Sequence, residues 1–548
     1  MKAPLLVHNN NSFLALKNGI NNEKFDDSIV DFIDDVLIHE KFDILIIPFS
    51  LSENYLEFVG LELAYHIRLT KELEDLRFVP IIFFGEETPY LISKLSWLGR
   101  ILYTDGIYIA KENKIKELSE KDLKGTTEEK VREQIAVPPP SNYSSHHSIA
   151  NEWSIIRWAK YLGIDGNETF KPLIEKISSS LYYKYLLNKF PIEQVTKGQL
   201  QIESEGKILL IDDEWEKGWG DIFKEFFKNS RSIKFSVLEV DYSKLDQNEI
   251  INHSKSKINE FKTDMVILDM RLHEVDFSDK TNIDDYTSSK LLKIIKEEIN
   301  PGIQVIIFTA SNKVWNLQRL EELGADGFII KESPEFNRDS KFTRENIKSF
   351  KKTIEKSLDK KYLKKLFLQK KLIVSKLNEF KREKELNKDF CNEINRLVDL
   401  SFGLLVKGQT EGLISSFLLL FNVIEIIANE FINEKHPIET GKKFLYEFYN
   451  GSPVNYYKWE KDHYVSKGKL KRDSRSFQLS TNIKIINYAK ENTKMEDSNI
   501  YAIEKLTGLR NDFIHQNLIN GEAVKIEKQD VVELFNFVYE LITKMSFE

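Results

Sequence analysis

Four short apolar runs occur twice in this chain, in the same order. LLVHNN (5–10) aligns with LLIDDE (209–214), and FDILIIPFSL (42–51) with TDMVILDMRL (263–272). VPIIFFGEE (79–87) pairs with IQVIIFTAS (303–311), and TDGIYIAK (104–111) with ADGFIIKE (325–332). Each run is short, continuous and bounded by polar residues, the pattern of a strand buried on both faces. The stretches between them carry helical periodicity, as in NYLEFVGLELAYHIRLTKEL (54–73). Such alternation builds a parallel sheet covered by helices, and a repeat of this length predicts two α/β units.

A chain of 548 residues exceeds what one core can organise and implies about three or four domains. The first α/β unit spans 1–135. VPPPSNYSSHHS (137–148) breaks the pattern with prolines and small polar residues, so 136–202 read as a linker and helical module. The second unit, a doubly wound (βα)5 sheet, spans 203–335. Residues 336–400 are lysine-rich with no Pro or Gly from 341 on, which predicts long charged helices. Residues 401–548 read as an all-helical domain with a looser stretch around Gly451–Ser476. The fold class is therefore multidomain α/β plus α. Net charge is −7, so the whole chain has no basic field for nucleic acid. The single cysteine, Cys391, excludes an intrachain disulfide and fits a cytoplasmic setting. MKAPLLVHNNNSF has too short an apolar run for a signal peptide, and no run reaches ~18 apolar residues, so no membrane span is expected. LISSFLLLFNVIEIIA from Leu413 is interrupted by Ser, Asn and Glu and reads as a buried helix.

In the second copy the apolar runs end on Asp212, Asp213, Asp269, Thr309 and Lys331. The carboxyl ends of parallel strands form the ligand crevice, so all five converge on one rim. Three carboxylates repel unless a cation neutralises them, and oxygen-only ligands suit Mg²⁺. The backbone carbonyl of Arg271 is a further oxygen donor. Asp269 can then attack phosphorus, with Lys331 and the metal stabilising the transferring oxygens and Thr309 bonding one of them. Thr309 and the aromatic Phe328 are positioned to carry the change outward.

This ordered set resembles the receiver-domain family of two-component response regulators: acidic pair, phosphoacceptor, switch Thr, and Lys followed by Glu-Ser-Pro. The resemblance covers about 130 residues. It implies phosphorylation of Asp269 by a histidine kinase, with Mg²⁺ at Asp212, Asp213, Asp269 and Arg271. The polar loop HEVDFSDKTNIDDYTSS (273–289) is longer than usual for the family and lies beside the site. In the first copy the same places hold His8, Asn9, Pro48, Gly85 and Ala110, so 1–135 read as a pseudo-receiver that keeps the fold and loses the chemistry.

A second constellation lies in LTGLRNDFIHQN (506–517), where Asn511 and His515 are one helical turn apart and Arg510 is adjacent. Arg can hold a phosphate and His can act as general acid or base. The motif resembles the Arg-x4-His of HEPN domains, many of them metal-independent ribonucleases, and implies RNA as substrate and a homodimer. Receivers joined to such effectors resemble regulators of Detocs-type anti-phage two-component systems, in which some members instead buffer phosphate and share a kinase with a second regulator. The lysine-rich 350–385 stretch reads as the solvated face of a long helix, and Trp153, Trp158 and Tyr161 as core. No Gly-rich phosphate loop, Ser–His–Asp set or DNA-reading helix-turn-helix stands out.

Overall fold

The computed structural model describes the chain except for residues 1–3, 9–20, 27, 40, 112–113, 116–121, 141–146, 193–199, 279–280, 311–313, 335–340, 384–385, 409, 442, 474–478, 494, 516–517, 520–521 and 546–548. The repeated apolar runs become two five-stranded parallel sheets. The first holds β1 (Leu5–His8), β2 (Asn21–Lys24), β3 (Leu45–Pro48), β4 (Ile81–Phe84) and β5 (Ile107–Ala110), in the order 2-1-3-4-5. The second holds β6 (Gly206–Ile211), β7 (Ile233–Val237), β8 (Met265–Asp269), β9 (Gln304–Thr309) and β10 (Gly327–Ile330). Read in chain order it has the same arrangement, 2-1-3-4-5. In both, the first and third strands are neighbours whose connections leave to opposite sides, which makes the cleft above them a switch point for ligands. The strands carry continuous apolar runs because helices cover both faces. Leu209 and Ile211 face one core and Ile208 and Leu210 the other, and all four are fully buried.

The aligned runs superpose in register at three strands. Leu5 pairs with Leu45 as Leu209 pairs with Val266, and Leu45 pairs with Ile81 as Val266 pairs with Val305. The last strand departs from the alignment. Ile82 pairs with Tyr108, whereas its counterpart Ile306 pairs with Gly327. The place of Lys331 in the first sheet therefore falls two residues beyond Ala110, at residue 112, outside the described residues.

The connector is not a free-standing module. Its helix α1 (His147–Leu162) buries Ile155, Trp158, Ala159 and Tyr161 in one face of the second sheet. Ile149, Trp153 and Ile156 instead pack on the helices Lys171–Ser179 and Leu181–Lys189. The expected core roles of Trp153, Trp158 and Tyr161 hold, since all three are buried. Helix α2 (Phe342–Leu358) covers the same sheet face through Ile347, Phe350, Ile354 and Leu358.

The boundary placed at 400/401 falls inside a helix and moves. A C-terminal bundle begins at α3 (Tyr362–Glu383), whose Leu366, Ile373, Leu377 and Phe380 enter its core, and continues through α4 (Lys388–Lys407) and α5 (Thr410–Phe431). The segment Glu411–Phe431 is long and apolar enough to cross a bilayer, and half of its most apolar window is buried inside the fold. Phe417, Leu420, Phe421 and Ile424 lie in the bundle core. The region that follows is not all helix. Residues 432–472 form β11 (Ile432–Thr440), β12 (Lys443–Phe448), β13 (Asn455–Glu460), β14 (His463–Lys469) and β15 (Lys471–Arg472). Alternating aromatic and polar residues, NYYKWE against HYVSK, suit a ribbon, and Lys461 and Asp462 turn it with φ of 46° and 65°. Helices α6 (Thr481–Asn492), α7 (Asp497–Ile514) and α8 (Lys528–Thr543) complete the bundle.

Candidate functional site

At the switch point of the second sheet the structure gathers four of the predicted residues. Asp212 follows β6, Asp269 ends β8, Thr309 ends β9 and Lys331 follows β10, and all four are buried. The Lys331 Nζ lies 2.7 Å from Asp269 Oδ1 and 3.1 Å from Asp212 Oδ2. The other oxygen of Asp269 accepts the Arg271 backbone N–H at 2.7 Å, and Asp212 Oδ1 accepts that of Glu214 at 2.8 Å. Asp213 is half-buried beside them. The Lys331 N–H donates to the Thr309 carbonyl at 2.6 Å, fixing the two strand ends together. The Thr309 hydroxyl sits 3.7 Å from Met270 Sδ, and Phe328 is half-buried on β10.

Electrostatics at this rim follow from burial. Burial raises the carboxyls of Asp212 and Asp269, while the Lys331 ammonium pulls both back down. Asp213, farther from the ammonium, is pushed up to about 9 by burial and then by Asp269 and Asp212. Burial opposes the Lys331 charge, but the Asp212 and Asp269 carboxylates outweigh it and hold the ammonium above its ordinary range. Its charge also faces the rings of Phe308 at 4.9 Å and Trp219 at 5.4 Å.

Among the described residues no three His, Cys, Asp or Glu side chains form a ready-made metal cage. Lys331 stands between two of the three carboxylates instead. The donor chemistry nevertheless fits a hard divalent cation. The ligands would be oxygen only, and burial, with the neighbouring carboxylates behind it, raises carboxyls that a bound cation would hold ionised.

Two contributors were not legible in the sequence. Asp276, in the long loop after β8, is fully buried and accepts the backbone N–H groups of Leu272, His273 and Thr287 at 3.0–3.1 Å. It thus pins the loop that begins at Arg271, whose guanidinium lies over Phe277 and Tyr286. Glu332, next to Lys331, is also fully buried and bonded to the connector. Its connector partners Arg157 and Trp158 lie more than 170 positions away in the chain, so no local pattern announces them.

The first sheet has the same cleft with other contents. His8 ends β1 and Pro48 ends β3; Asn9 lies outside the described residues. The Phe49 ring stacks on Phe83 and lies against Gly85, where a Cβ would meet it at 2.3 Å. Gly60 brings the helix Val59–Leu69 onto the strand end so closely that a Cβ there would stand 1.9 Å from the Pro48 carbonyl oxygen. In the aligned positions Pro48 stands where the second sheet has Asp269, and the Phe49–Gly85 contact where it has Met270 beside Thr309.

Residues 5–110 match the family model of the inactive receiver domain. Its five-stranded parallel sheet fits a receiver fold, and the unit is similar to receivers of the inactive kind. The match supports a response-regulator-like role for the chain, and over 5–110 it fits an N-terminal receiver fold without the chemistry. None of the curated proteins matches the chain.

In the C-terminal bundle, Arg510 Nη2 pairs with Glu425 Oε1 of α5 at 3.2 Å, and its Nη1 donates to Asn511 Oδ1 at 3.2 Å. Asn511 and His515 are exposed, and the His515 N–H bonds the Asn511 carbonyl at 2.9 Å. Glu425 also accepts from the Thr481 hydroxyl at 3.3 Å. Arg510 and Asn511 lie in the last turn of α7 and His515 caps it, with Arg510 held by an acid that the sequence motif did not include.

Proposed function

We propose that the chain is a response regulator that accepts a phosphoryl group on Asp269 from the phosphohistidine of a histidine kinase. The observation that carries this reading is Lys331 bridging Asp269 and Asp212 at the switch point of a 2-1-3-4-5 parallel sheet. Asp269 Oδ forms a P–O bond as the P–N bond to the kinase imidazole breaks and its electron pair returns to the ring. Lys331 shields the transferring oxygens, the Arg271 N–H orients the carboxylate, and the Thr309 hydroxyl, at the end of the neighbouring strand, turns towards the new group. Asp212, Asp213, Asp269 and the Arg271 carbonyl would hold Mg²⁺, which supplies charge neutralisation and lowers the Asp269 pKa. The inactive receiver serves as a docking or dimerisation unit.

The C-terminal bundle, from about 362 onward, is the proposed output. Its Arg510, Asn511 and His515 fit a HEPN-like ribonuclease, favoured here by the Glu425 contact that fixes Arg510 beside an exposed imidazole. A cytoplasmic anti-phage role of the Detocs type fits this architecture, with a phosphate buffer sharing its kinase with a second regulator as the alternative. Labelling by acetyl phosphate with Mg²⁺ tests the core claim: wild type takes one phosphoryl group and Asp269→Ala takes none. Equal labelling of both would sink it. RNA cleavage lost in His515→Ala separates effector from buffer.

A further inference from the structure

The phosphoryl rim is braced from outside its own sheet. Glu332 directly follows Lys331 and has no exposed surface. Its backbone N–H donates to Ser154 Oγ at 2.9 Å. Its carboxylate accepts Arg157 Nε at 2.8 Å, Trp158 Nε1 at 3.0 Å and the Thr343 hydroxyl at 2.8 Å. Ser154, Arg157 and Trp158 belong to α1, and Thr343 to α2. Arg157 has no exposed surface either, and it also bonds Thr343 at 2.7 Å and the Phe190 carbonyl at 3.0 Å.

A second path reaches the same ammonium. The Phe308 and Trp219 rings under Lys331 touch edge to face, with centroids 4.6 Å apart. Trp158 packs on both, at 6.0 and 5.6 Å. Asn151 of α1 accepts the Trp219 N–H at 2.9 Å. Residues 151, 154 and 158 are spaced to lie on one face of α1, and all are buried. A buried ion pair with this many satisfied bonds does little net work for stability compared with an apolar core, but it fixes one arrangement.

We propose that Ser154, Arg157 and Trp158 of the connector are positioning residues of the phosphoryl site, which set Lys331 through Glu332 and the Trp219–Phe308 wall. The connector therefore completes the site, and a charge change at Asp269 has a rigid route to both α1 and α2. This rests on the phosphoacceptor reading above. The reason such bracing matters is geometric: a displacement of about 1 Å at a reacting group can cost about 10²-fold in rate.

The test uses the full chain. Ser154→Ala deletes only the hydroxyl that holds the Glu332 N–H, and Trp158→Phe deletes the donor to its carboxylate and trims the ring that packs on the Trp219–Phe308 wall. Both are milder than removing Arg157 or Glu332, which would strand a buried charge. Acetyl phosphate labelling per folded molecule, at saturating Mg²⁺, is expected to fall about tenfold in maximal rate in the double variant, with half-saturation unchanged within about twofold. Ser154→Thr, which keeps a hydroxyl, is expected to restore most of the loss that Ser154→Ala alone produces. A folded double variant that labels at the wild-type rate overturns the proposal, as does a loss confined to half-saturation.

Hydrogen exchange on the unphosphorylated chain gives a readout that needs no phosphate. In Ser154→Ala, residues 147–158 and 327–332 are expected to lose protection together, by about tenfold, while 5–110 is unchanged. If wild type takes no label, the phosphoacceptor reading fails on its own. Exchange then decides the bracing: joint opening upholds the connector's hold on the Lys331 strand end, and opening of either segment alone overturns it.

Discussion

The two sheets share strand order, parallel pairing and, over three strands, register, yet their described strand ends differ in chemistry. In the second, buried carboxylates and an ammonium face one another over the rings of Phe308 and Trp219. In the first, Phe49 covers Gly85, and Gly60 lets a helix close on Pro48. What differs is a handful of residues at strand ends, where a side chain is free of the ladder and its chemistry can change without disturbing the sheet. The fold is thus set by the apolar runs, and the chemistry of the rim by the residue that follows each run. Keeping charges in a cleft costs desolvation, and a domain relieved of phosphoryl chemistry can replace them with packing.

The most severe way to probe that difference is to make the second cleft resemble the first. Lys331→Met removes the ammonium and leaves Asp212 and Asp269 facing each other, and labelling by acetyl phosphate should fall about 10²–10³-fold. A variant that labels within threefold of wild type, with Mg²⁺ saturating, would mean that Lys331 is not part of the chemistry. The reverse change is expected to achieve nothing chemically. Gly85→Thr puts a side chain into the Phe49 ring and should destabilise the chain by about 1–3 kcal/mol in denaturant unfolding, with no new labelling in 5–110.

Metal dependence sharpens the comparison further. Asp213 in the folded chain is raised to about 9, far above an unfolded-state value of about 3.9, so the folded state binds the extra proton between those limits. Stability from this cluster is therefore greatest below pH ~4 and declines as pH rises towards 9. Mg²⁺ competes with those protons and should stabilise more at pH 8 than at pH 6. At a hundred times its dissociation constant the gain is about 2.7 kcal/mol. Asp213→Asn should flatten both the pH slope and much of the Mg²⁺ effect in thermal unfolding. A Mg²⁺ gain that is independent of pH would place the cation elsewhere.

Much of this was legible before any coordinates. The strands were readable because parallel burial makes them uniformly apolar, and the rim because each run ends in a polar residue of distinct type. What escaped was contact at long range. Arg157 and Glu332 are separated by 175 positions, and nothing near either marks it as half of an ion pair. Asp276 was hidden for a different reason: its partners are mostly backbone N–H groups, which have no sequence signature. The ribbon at 455–469 looks loose in the sequence because Gly and Lys outweigh the alternation of Tyr, Trp and Val. The register of β5 could not be seen because residues 104–111 match 325–332 by composition while the preceding loop differs in length.

The smallest expected effect separates the sheets by the sign of their response to acid. His66, on the helix that closes the first cleft, is buried, and burial followed by the nearby Lys184 ammonium lowers its pKa to about 3. Lys184 Nζ lies 3.2 Å from its Nδ1 and donates to the Thr70 hydroxyl at 2.8 Å. The folded state refuses a proton that the unfolded chain takes near pH 6.5, so stability is full above that value and is lost as pH falls below it. The slope is at most about 1.4 kcal/mol per pH unit, opposite in sign to that of the second cleft. With Mg²⁺ saturating, the carboxylate slope is suppressed and the His66 limb should stand alone between pH 6.5 and 5.5. His66→Gln should remove it in urea unfolding at those two pH values. If the limb survives that substitution, the acid response belongs to another group, and the first cleft is as indifferent to protons as it is to phosphate.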